Sequence, residues 1–284
     1  MLSSIGFVVS LLLQIEPLQP RQVSTPVLSS VDQIQQDFAN VPCKNKERLN
    51  AVRKLFEKMG APPEQVSIAK VDNAQNLFVT LKGSEPGRIV IGAHYDLVEA
   101  GCGAIDNWSG IVAMAHTYAS VRKLDVKKTA VFVAFGNEES GRWGSRGMVA
   151  RIPKSELPEY CAMINIDSFG MAAPFAFREV SSNKLTSLVE ERAAVLKVPF
   201  IAASIPGADA DSSSFLERRI PAVTLSGLTE QWPQFLHTKK DQIKEVNFTS
   251  VYLGYRLALA TWAVVNDSPC NAYSEATPSN KGTK

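Results

Sequence analysis

The segment RIVIGAHYD, residues 88–96, shows how this chain is built, because an apolar run ends in His94 and Asp96. Two further segments repeat the pattern and end in acidic residues, TAVFVAFGNEES at 129–140 and CAMINIDSFG at 161–170. Short, nearly continuous apolar runs are typical of strands that are covered on both faces of a parallel sheet. Open α/β sheets carry their functional groups just beyond the carboxyl ends of such strands. The pattern therefore predicts a functional site at that edge of a sheet.

Helix-like and strand-like segments alternate along the rest of the chain. Residues 44–59 and 109–124 have apolar side chains at helical spacing, and 74–83 is typical of a strand. The remaining predicted elements are helices at 183–197, 211–219 and 246–265 and a strand at 221–227. This order predicts an α/β fold, a three-layer α/β/α sandwich with a mixed, mostly parallel central sheet.

The composition is that of an ordinary globular protein, with 284 residues, 45% hydrophobic and 20% charged. A chain of this length buries a large core, and one domain is expected over residues 26–265. The formal net charge is only +2 and no basic stripe is present, so no nucleic-acid partner is predicted. The sequence leaves the oligomeric state open.

The two termini are predicted to lie outside the folded domain. The apolar run at 5–13 is too short to cross a bilayer, so no stable membrane span is predicted. Its length fits the core of a signal peptide, although a positive leader and a cleavage site are missing. Residues 1–25 are interpreted as a signal or disordered segment, which favours a secreted or periplasmic protein. The polar residues 266–284 are expected to form a disordered tail.

Four cysteines permit two disulfides in an oxidising compartment, and none of their spacings indicates a zinc knot. Cys43 and Cys270 flank the predicted domain and are candidates for a pair. Cys161 opens an apolar strand, which favours a buried thiol.

Five residues of metal-ligand type stand at the ends of these segments. They are His94, Asp106 in GAIDNWSG, Glu139, Asp167 and His237 in FLHTKKD. Two histidines and three carboxylates suit a pair of zinc ions, since nitrogen and oxygen donors are what zinc takes in proteins. Two-metal sites of this kind activate water as a nucleophile. The sequence therefore predicts a metal-dependent hydrolase.

Two more acidic residues near the ligands are candidates for catalysis. Glu138 directly precedes Glu139, and adjacent acids after a strand suit one general base and one metal ligand. Asp96 follows His94 by two residues and is a candidate to orient its imidazole. His116 lies in the middle of a predicted helix and is interpreted as a packing residue. No G-x-S-x-G motif surrounds any serine, which excludes a serine hydrolase of that type.

These motifs, above all HYD at 94–96 followed by DNWSG at 106–110, resemble those of the co-catalytic zinc aminopeptidase family. That family includes secreted bacterial leucyl aminopeptidases, glutamate carboxypeptidase II and glutaminyl cyclases. The resemblance runs from about Asn40 to Val265 and implies a minimal catalytic domain of the zinc-exopeptidase fold that acts on peptides.

The resemblance implies two zinc ions (Zn2+) per chain with Asp106 as the ligand shared by both. His94 and Asp167 would complete one site, and Glu139 and His237 would complete the other.

The resemblance also implies that Glu138 is the general base, which takes a proton from water and later delivers it to the leaving amine. A cis peptide bond is implied between Asp106 and Asn107. Two positions depart from the family pattern. Leu236 replaces a tyrosine that stabilises the tetrahedral intermediate, so the oxyanion would depend on zinc or another donor. Residues 210–212 read Ala-Asp-Ser where the family often has Ser-Asp-His, so substrate placement is expected to differ.

Three enzymatic functions remain open from the sequence. The leading prediction is an aminopeptidase that hydrolyses N-terminal residues from peptides. A glutaminyl-peptide cyclotransferase with one zinc is an alternative, since WPQFLHT at 232–238 is similar to the cyclase segment before its last histidine. A carboxypeptidase or dipeptidase would share the same ligands. A catalytically inactive binding domain is disfavoured because all five ligands and the base are present.

Overall fold

The computed structural model describes residues 26–205, 207 and 209–275, so the predicted signal segment lies outside the described residues. The strands are β1 Val66–Val71, β2 Ala74–Leu81, β3 Arg88–His94, β4 Thr129–Phe135, β5 Tyr160–Ile166, β6 Phe175–Phe177, β7 Ile201–Ala203 and β8 Ala222–Ser226. The helices are α1 Val31–Gln36, α2 Asn45–Lys58, α3 Ser109–Val121, α4 Trp143–Ala150, α5 Asn183–Leu196, α6 Asp211–Glu217 and α7 Phe248–Asp267.

All eight strands form one sheet in the order β1-β2-β4-β3-β5-β8-β6-β7. The strand β3 pairs in parallel with β4 and β5, and β5 pairs in parallel with β8. The strands β2 and β6 join this group antiparallel, at β4 and β8 respectively. The prediction of a mixed, mostly parallel sheet is confirmed. Four neighbouring strands therefore present their carboxyl ends at one edge.

Helices cover both faces of the sheet, as the alternation along β3 illustrates. Ile89 and Ile91 pack into the larger core, together with side chains of α1, α2, α3, α5 and α7. Val90 between them points to the other face and packs into a smaller core with side chains of α4 and α6. The predicted three-layer α/β/α sandwich is thereby confirmed.

The helix α7 is the one helix of the described part that has the length and apolar composition of a membrane span. Just over half of its most apolar stretch, 56%, is buried inside the domain. The helix begins after Asn247, whose side-chain oxygen accepts the N–H of Thr249 at 3.0 Å and so caps the first turn. Its packing against α3 in the larger core accounts for its apolar character.

The two disulfides differ from the pairing expected from the sequence. They join Cys43 to Cys102 and Cys161 to Cys270, so the predicted Cys43–Cys270 pair and the free thiol at Cys161 are wrong. Cys43 precedes α2 and lies against the loop after β3, whereas Cys270 follows α7, which ends beside the start of β5. Two disulfides are typical of proteins from oxidising compartments.

The structure also differs from the prediction of a tail that is disordered from Asn266 onward. The Asn266 side-chain oxygen accepts the N–H groups of Lys127 and Lys128 at 3.1 and 3.0 Å, and Cys270 is tied to β5. The folded domain therefore continues past its predicted end at Val265. The residues at 276–284 lie outside the described part of the chain.

Candidate metal centre

The five predicted metal-ligand residues converge at the carboxyl edge of the parallel strands. His94 is the last residue of β3, and Asp167 directly follows β5. Glu139 lies in the turn that follows β4. Asp106 and His237 come from the loops after β3 and β8. The convergence follows from the topology, because neighbouring parallel strands end at the same edge.

The carboxylate of Asp106 lies between the two histidines. Its Oδ1 is 3.1 Å from His94 Nε2, and its Oδ2 is 3.1 Å from His237 Nε2. Asp167 Oδ1 lies 3.5 Å from the same His94 nitrogen. Glu139 Oε2 lies 2.9 Å from the same His237 nitrogen. The residues therefore form two groups of three that share Asp106.

The donor atoms at this point fit a metal ion. One ligand atom each from His94, Asp106 and Glu139 lie within 4.8 Å of one another. The second oxygen of Glu139, Oε1, is buried and has no hydrogen-bond partner among the described residues. A buried carboxylate oxygen without a partner is costly unless something ligates it. Imidazole and carboxylate donors in this arrangement suit zinc.

The electrostatics of the centre are dominated by contact between imidazoles and carboxylates. Burial alone would lower the pKa of His94, but hydrogen bonds to Asp106 and Asp167 raise it well above its usual value. Hydrogen bonds to Asp106 and Glu139 raise the pKa of His237 to about 10. Burial would raise the pKa of Asp106, yet its bonds with His237 and His94 hold it well below its usual range. The site therefore attracts positive charge, as a cation-binding centre must.

Glu138 lies beside the candidate ligands in the pocket and is partly buried. Burial raises the pKa of its carboxyl group well above the usual value, and the nearby charges of Asp211, Asp167 and Asp106 raise it further, against the influence of His94. A carboxyl group in a cleft whose pKa is shifted by burial and neighbouring charges is a candidate general base.

Asp96 contacts a second group besides the His94 imidazole that the sequence indicated. Its two oxygens accept the main-chain N–H groups of Glu138 at 3.0 Å and Glu139 at 3.1 Å. Its Oδ1 is 3.7 Å from His94 Nδ1, which lies closer, at 3.3 Å, to the Asp96 carbonyl oxygen. The carboxylate therefore holds the tandem glutamates in place and touches the imidazole only at ion-pair distance.

The DNWSG motif joins the Asp106 loop to the end of β5. The peptide bond between Asp106 and Asn107 is cis, as the resemblance implied. The buried Asn107 side chain accepts the N–H of Ser168 at 3.1 Å and donates to the Ile166 carbonyl at 2.9 Å. A Cβ at Gly110 would lie 2.3 Å from Asn107 Oδ1, so this close approach requires glycine.

Asp211 is a buried carboxyl group close to Glu138, and the sequence did not predict it as part of the site. Both carboxyl oxygens are buried and have no hydrogen-bond partner within the described ranges, although the Ser145 hydroxyl is nearby. Burial raises the pKa of Asp211 to about 7. The charge of this carboxyl group acts on Glu138. The signal was present in the Ala-Asp-Ser triplet, where the family pattern also has aspartate at the middle position.

His116 lies outside the centre, as predicted. Its Nε2 is 3.0 Å from Asp37 Oδ2, and its Nδ1 is 2.7 Å from the Ser29 hydroxyl. These contacts hold the first described segment of the chain against α3.

A pocket opens at the candidate metal centre and is lined by both acidic and apolar side chains. Its acidic side chains are Asp106, Glu138, Glu139, Asp167 and Asp209. Its apolar side chains are Phe177, Ile205, Leu228, Trp232 and Leu236. No lysine or arginine is among the described residues that line it. Leu236 is one of these apolar residues, and its side chain offers no hydrogen-bond donor.

Known proteins resemble this chain in sequence and in fold. Aminopeptidase YwaD of Bacillus subtilis is 30% identical over 171 residues, which cover 57% of this chain and 37% of YwaD. The LapA aminopeptidase of Legionella pneumophila has a TM-score of 0.71 at 20% identity, covering 87% of this chain and 73% of that one. A glutaminyl cyclase from an Acidobacteriales bacterium has a TM-score of 0.75 at 16% identity, covering 88% and 98%. At these identities the two structures show the fold alone.

The family assignment rests on a separate comparison. The chain spans between 19% and 64% of the length of the curated relatives that it matches. The family model for peptidase family M28 matches residues 76–261, which is more than half of the chain and includes all five predicted ligands. The zinc-exopeptidase fold, the converging ligands and this match agree, and the chain therefore belongs to peptidase family M28.

Proposed function

We propose that this protein is a zinc-dependent aminopeptidase that takes two zinc ions per chain. The proposal is supported by the pocket, in which the residues grouped around Asp106 lie next to the partly buried carboxyl group of Glu138. The sequence similarity to aminopeptidase YwaD of Bacillus subtilis supports the same function.

The charge of the pocket supports attack at the amino end of a peptide. Its five carboxylates include two that are not assigned to zinc, Glu138 and Asp209, and these favour a free α-ammonium group. The apolar residues that line the pocket suit an apolar side chain on the residue that is released.

Each residue of the centre has one part in the proposed reaction. Asp106 would bridge the ions, with His94 and Asp167 on one side and Glu139 and His237 on the other. When bound, zinc would polarise the scissile carbonyl and activate the attacking water.

Glu138 would accept the proton of that water at its carboxylate and then donate it to the leaving amine. Asp96 would keep Glu138 oriented through the main-chain N–H that it accepts.

We also propose that the protein acts outside the cytoplasm, in a secreted or periplasmic form. The two disulfides support this, because such bonds persist mainly in oxidising compartments.

A second candidate function is glutaminyl-peptide cyclotransferase. The fold likeness to a cyclase extends over nearly the whole of that chain, and the segment at 232–238 is similar to the cyclase segment. In that reaction the α-amine of an N-terminal glutamine attacks its own side-chain amide, which releases ammonia.

Mass spectrometry of three matched peptides separates these functions. The set has one sequence with a free N-terminal leucine, the same sequence N-acetylated, and the same sequence with N-terminal glutamine. We expect a free amino acid and a shortened peptide from the free-amine substrates, and no reaction of the acetylated one. Loss of ammonia from the glutamine peptide alone would replace the proposal by the cyclase. Release of a C-terminal residue from the acetylated peptide would replace it by a carboxypeptidase.

A further inference from the structure

Asp241 is a buried carboxylate, 2% exposed, in the loop that carries His237. Its Oδ1 accepts the main-chain N–H of Ile105 at 2.7 Å, and its Oδ2 accepts the N–H of Asp106 at 3.1 Å. The Asp241 side chain therefore joins the loop that carries His237 to the main chain of Asp106, which is another candidate ligand.

The same arrangement occurs a second time in the centre. Asp96 follows His94 by two residues and accepts the N–H groups of Glu138 and Glu139. Asp241 follows His237 by four residues and accepts the N–H groups of two consecutive residues in the same way. Each histidine segment thus carries a carboxylate that holds a segment with an acidic ligand.

The main chain of the loop at 101–106 is in direct contact with that of the turn at 238–241. The N–H of Cys102 donates to the Asp241 carbonyl oxygen at 2.8 Å. A Cβ at Gly101 would lie 2.4 Å from the Thr238 carbonyl oxygen, so no larger residue fits between the two loops. The loop at 101–106 is therefore held at a fixed distance from the turn at 238–241.

The carbonyl groups of the same loop are held by one arginine. Arg48 is fully buried in α2, and its guanidinium donates to the carbonyl oxygens of Tyr95 at 3.2 Å and Gly103 at 2.9 Å, and also to that of Cys102. The N–H groups that follow are the ones that Asp241 accepts. A loop without regular structure before Asp106 thereby has its polar main-chain groups fixed by two buried charges of opposite sign.

We propose that Asp241 is a positioning residue of the metal centre, which fixes the main chain of Asp106 against the His237 loop and so sets the spacing of these two ligands. The inference rests on the metal site of the proposed function. It assigns to Asp241 no contact with substrate and no proton transfer.

Zinc titration of the variant Asp241→Asn tests this. Asparagine keeps the size of the side chain but places an NH₂ group against one of the two N–H groups, so one hydrogen bond is lost. Outer partners of metal ligands contribute about 10–100-fold in metal affinity, so we expect at least a 10-fold weaker affinity for Zn²⁺ in competition with a chelator. The full chain, stripped of metal, is used throughout.

Asp37→Asn is the matched control. Asp37 is also buried, and its side chain contacts His116 and Lys58, away from the loop at 101–106. It is expected to lower the midpoint of thermal unfolding and to leave zinc affinity within twofold of the wild type. Equal loss of zinc affinity in both variants would overturn the inference, because it would reduce Asp241 to a residue needed for general stability.

Hydrogen exchange in metal-free protein gives a readout without zinc. We expect the amides of Ile105 and Asp106 to exchange at least 10-fold faster in Asp241→Asn than in the wild type or Asp37→Asn. Saturating zinc is expected to restore kcat in Asp241→Asn with KM unchanged, since Asp241 does not touch the substrate. If Asp241→Asn yields no folded protein, Asp241→Ser, which can still accept one N–H, takes its place in each measurement.

Two negative results are distinguishable. Wild-type chain that binds no zinc would overturn the metal site and this inference together. Wild-type chain that binds zinc, with Asp241→Asn equal to it in affinity and exchange, would overturn the inference alone.

Discussion

The two ends of the parallel strands differ in whether their charged side chains are paired with opposite charges. At the amino end, Arg88 of β3 pairs with Glu159 at 2.7 Å and lies over the ring of Tyr160 at 5.4 Å. The disulfide between Cys161 and Cys270 closes the same end. Every one of these groups has a partner that satisfies it.

At the carboxyl end, like charges are held together. The pKa of Glu138 is raised by burial and by three neighbouring carboxylates, and Glu139 Oε1 is buried without a hydrogen-bond partner in the described structure. The same apolar strands thus begin at an edge whose charged groups are paired. They end at an edge that favours the binding of a cation. Sites of function commonly sacrifice stability in this way.

The largest effect should come from removing the base at the carboxyl end. Glu138→Gln is expected to lower kcat on a free-amine peptide by roughly 10²–10⁴, the usual contribution of general base catalysis. Zinc content should be retained, because Glu138 is not assigned as a ligand. The thermal midpoint should not fall, because glutamine removes a carboxyl group whose charged form is disfavoured by its surroundings. Loss of zinc from Glu138→Gln, with zinc kept in Glu139→Gln, would mean that ligand and base are exchanged.

The next largest effect concerns the shared ligand. Asp106→Asn is expected to weaken both ions at once, because its two oxygens face the two histidines at equal distances of 3.1 Å. The loss of affinity should exceed the roughly 10–100-fold typical of outer partners. Metal analysis of the folded wild type should give two zinc ions per chain, and a single tightly bound ion there would contradict the shared site.

The two disulfides allow a matched comparison of the two ends. The bonds close segments of 59 and 109 residues, and removal of either is expected to cost about 2–5 kcal/mol in the free energy of unfolding. The double variants Cys43→Ser/Cys102→Ser and Cys161→Ser/Cys270→Ser test this by urea unfolding.

Zinc affinity should separate these two variants. Cys102 lies in the loop that Asp241 holds, so its variant should also lose about 10-fold in zinc affinity, in the range of outer partners. The variant at the amino end should bind zinc as the wild type does. A weaker zinc affinity in the Cys161→Ser/Cys270→Ser variant would show that the structure at the amino ends of the strands affects the metal centre.

The smallest effect should come from the paired charge at the amino end. Arg88→Met is expected to change the free energy of unfolding by about 0–1 kcal/mol, as is usual for a partly exposed ion pair. Urea unfolding at low and high salt should show a smaller difference from the wild type at high salt, because ions screen the pair. A loss that is large and independent of salt would show that packing over Tyr160 dominates.

The parts of the fold that could be predicted from the sequence are those with long periodic signals. The runs that form β3, β4 and β5 end in ligand-type residues, so the edge that carries the centre followed from them. The strands β6 and β7 have three residues each, and α4 contains Gly144 and Gly147, which weaken any helical signal.

The residues around the ligands were harder to predict for a physical reason. Asp241 and Arg48 form hydrogen bonds to main-chain groups of the loop at 101–106, more than 50 positions away, and only the tertiary structure makes those contacts. Four cysteines allow three pairings, and the sequence cannot choose between them. Asp96 was expected to contact His94, but its contact with the main chain of Glu138 and Glu139 depends on where β4 lies beside β3.

The spread of the ligands over the chain has a thermodynamic consequence. His94, Asp106, Glu139, Asp167 and His237 come from five separate segments, so an unfolded chain cannot bring them together. Zinc that binds only the folded state stabilises it by RT ln(1 + [Zn]/Kd), so the unfolding temperature should rise with free zinc. A centre occupied by zinc therefore indicates that the chain is folded from β3 through the loop after β8, which carries His237.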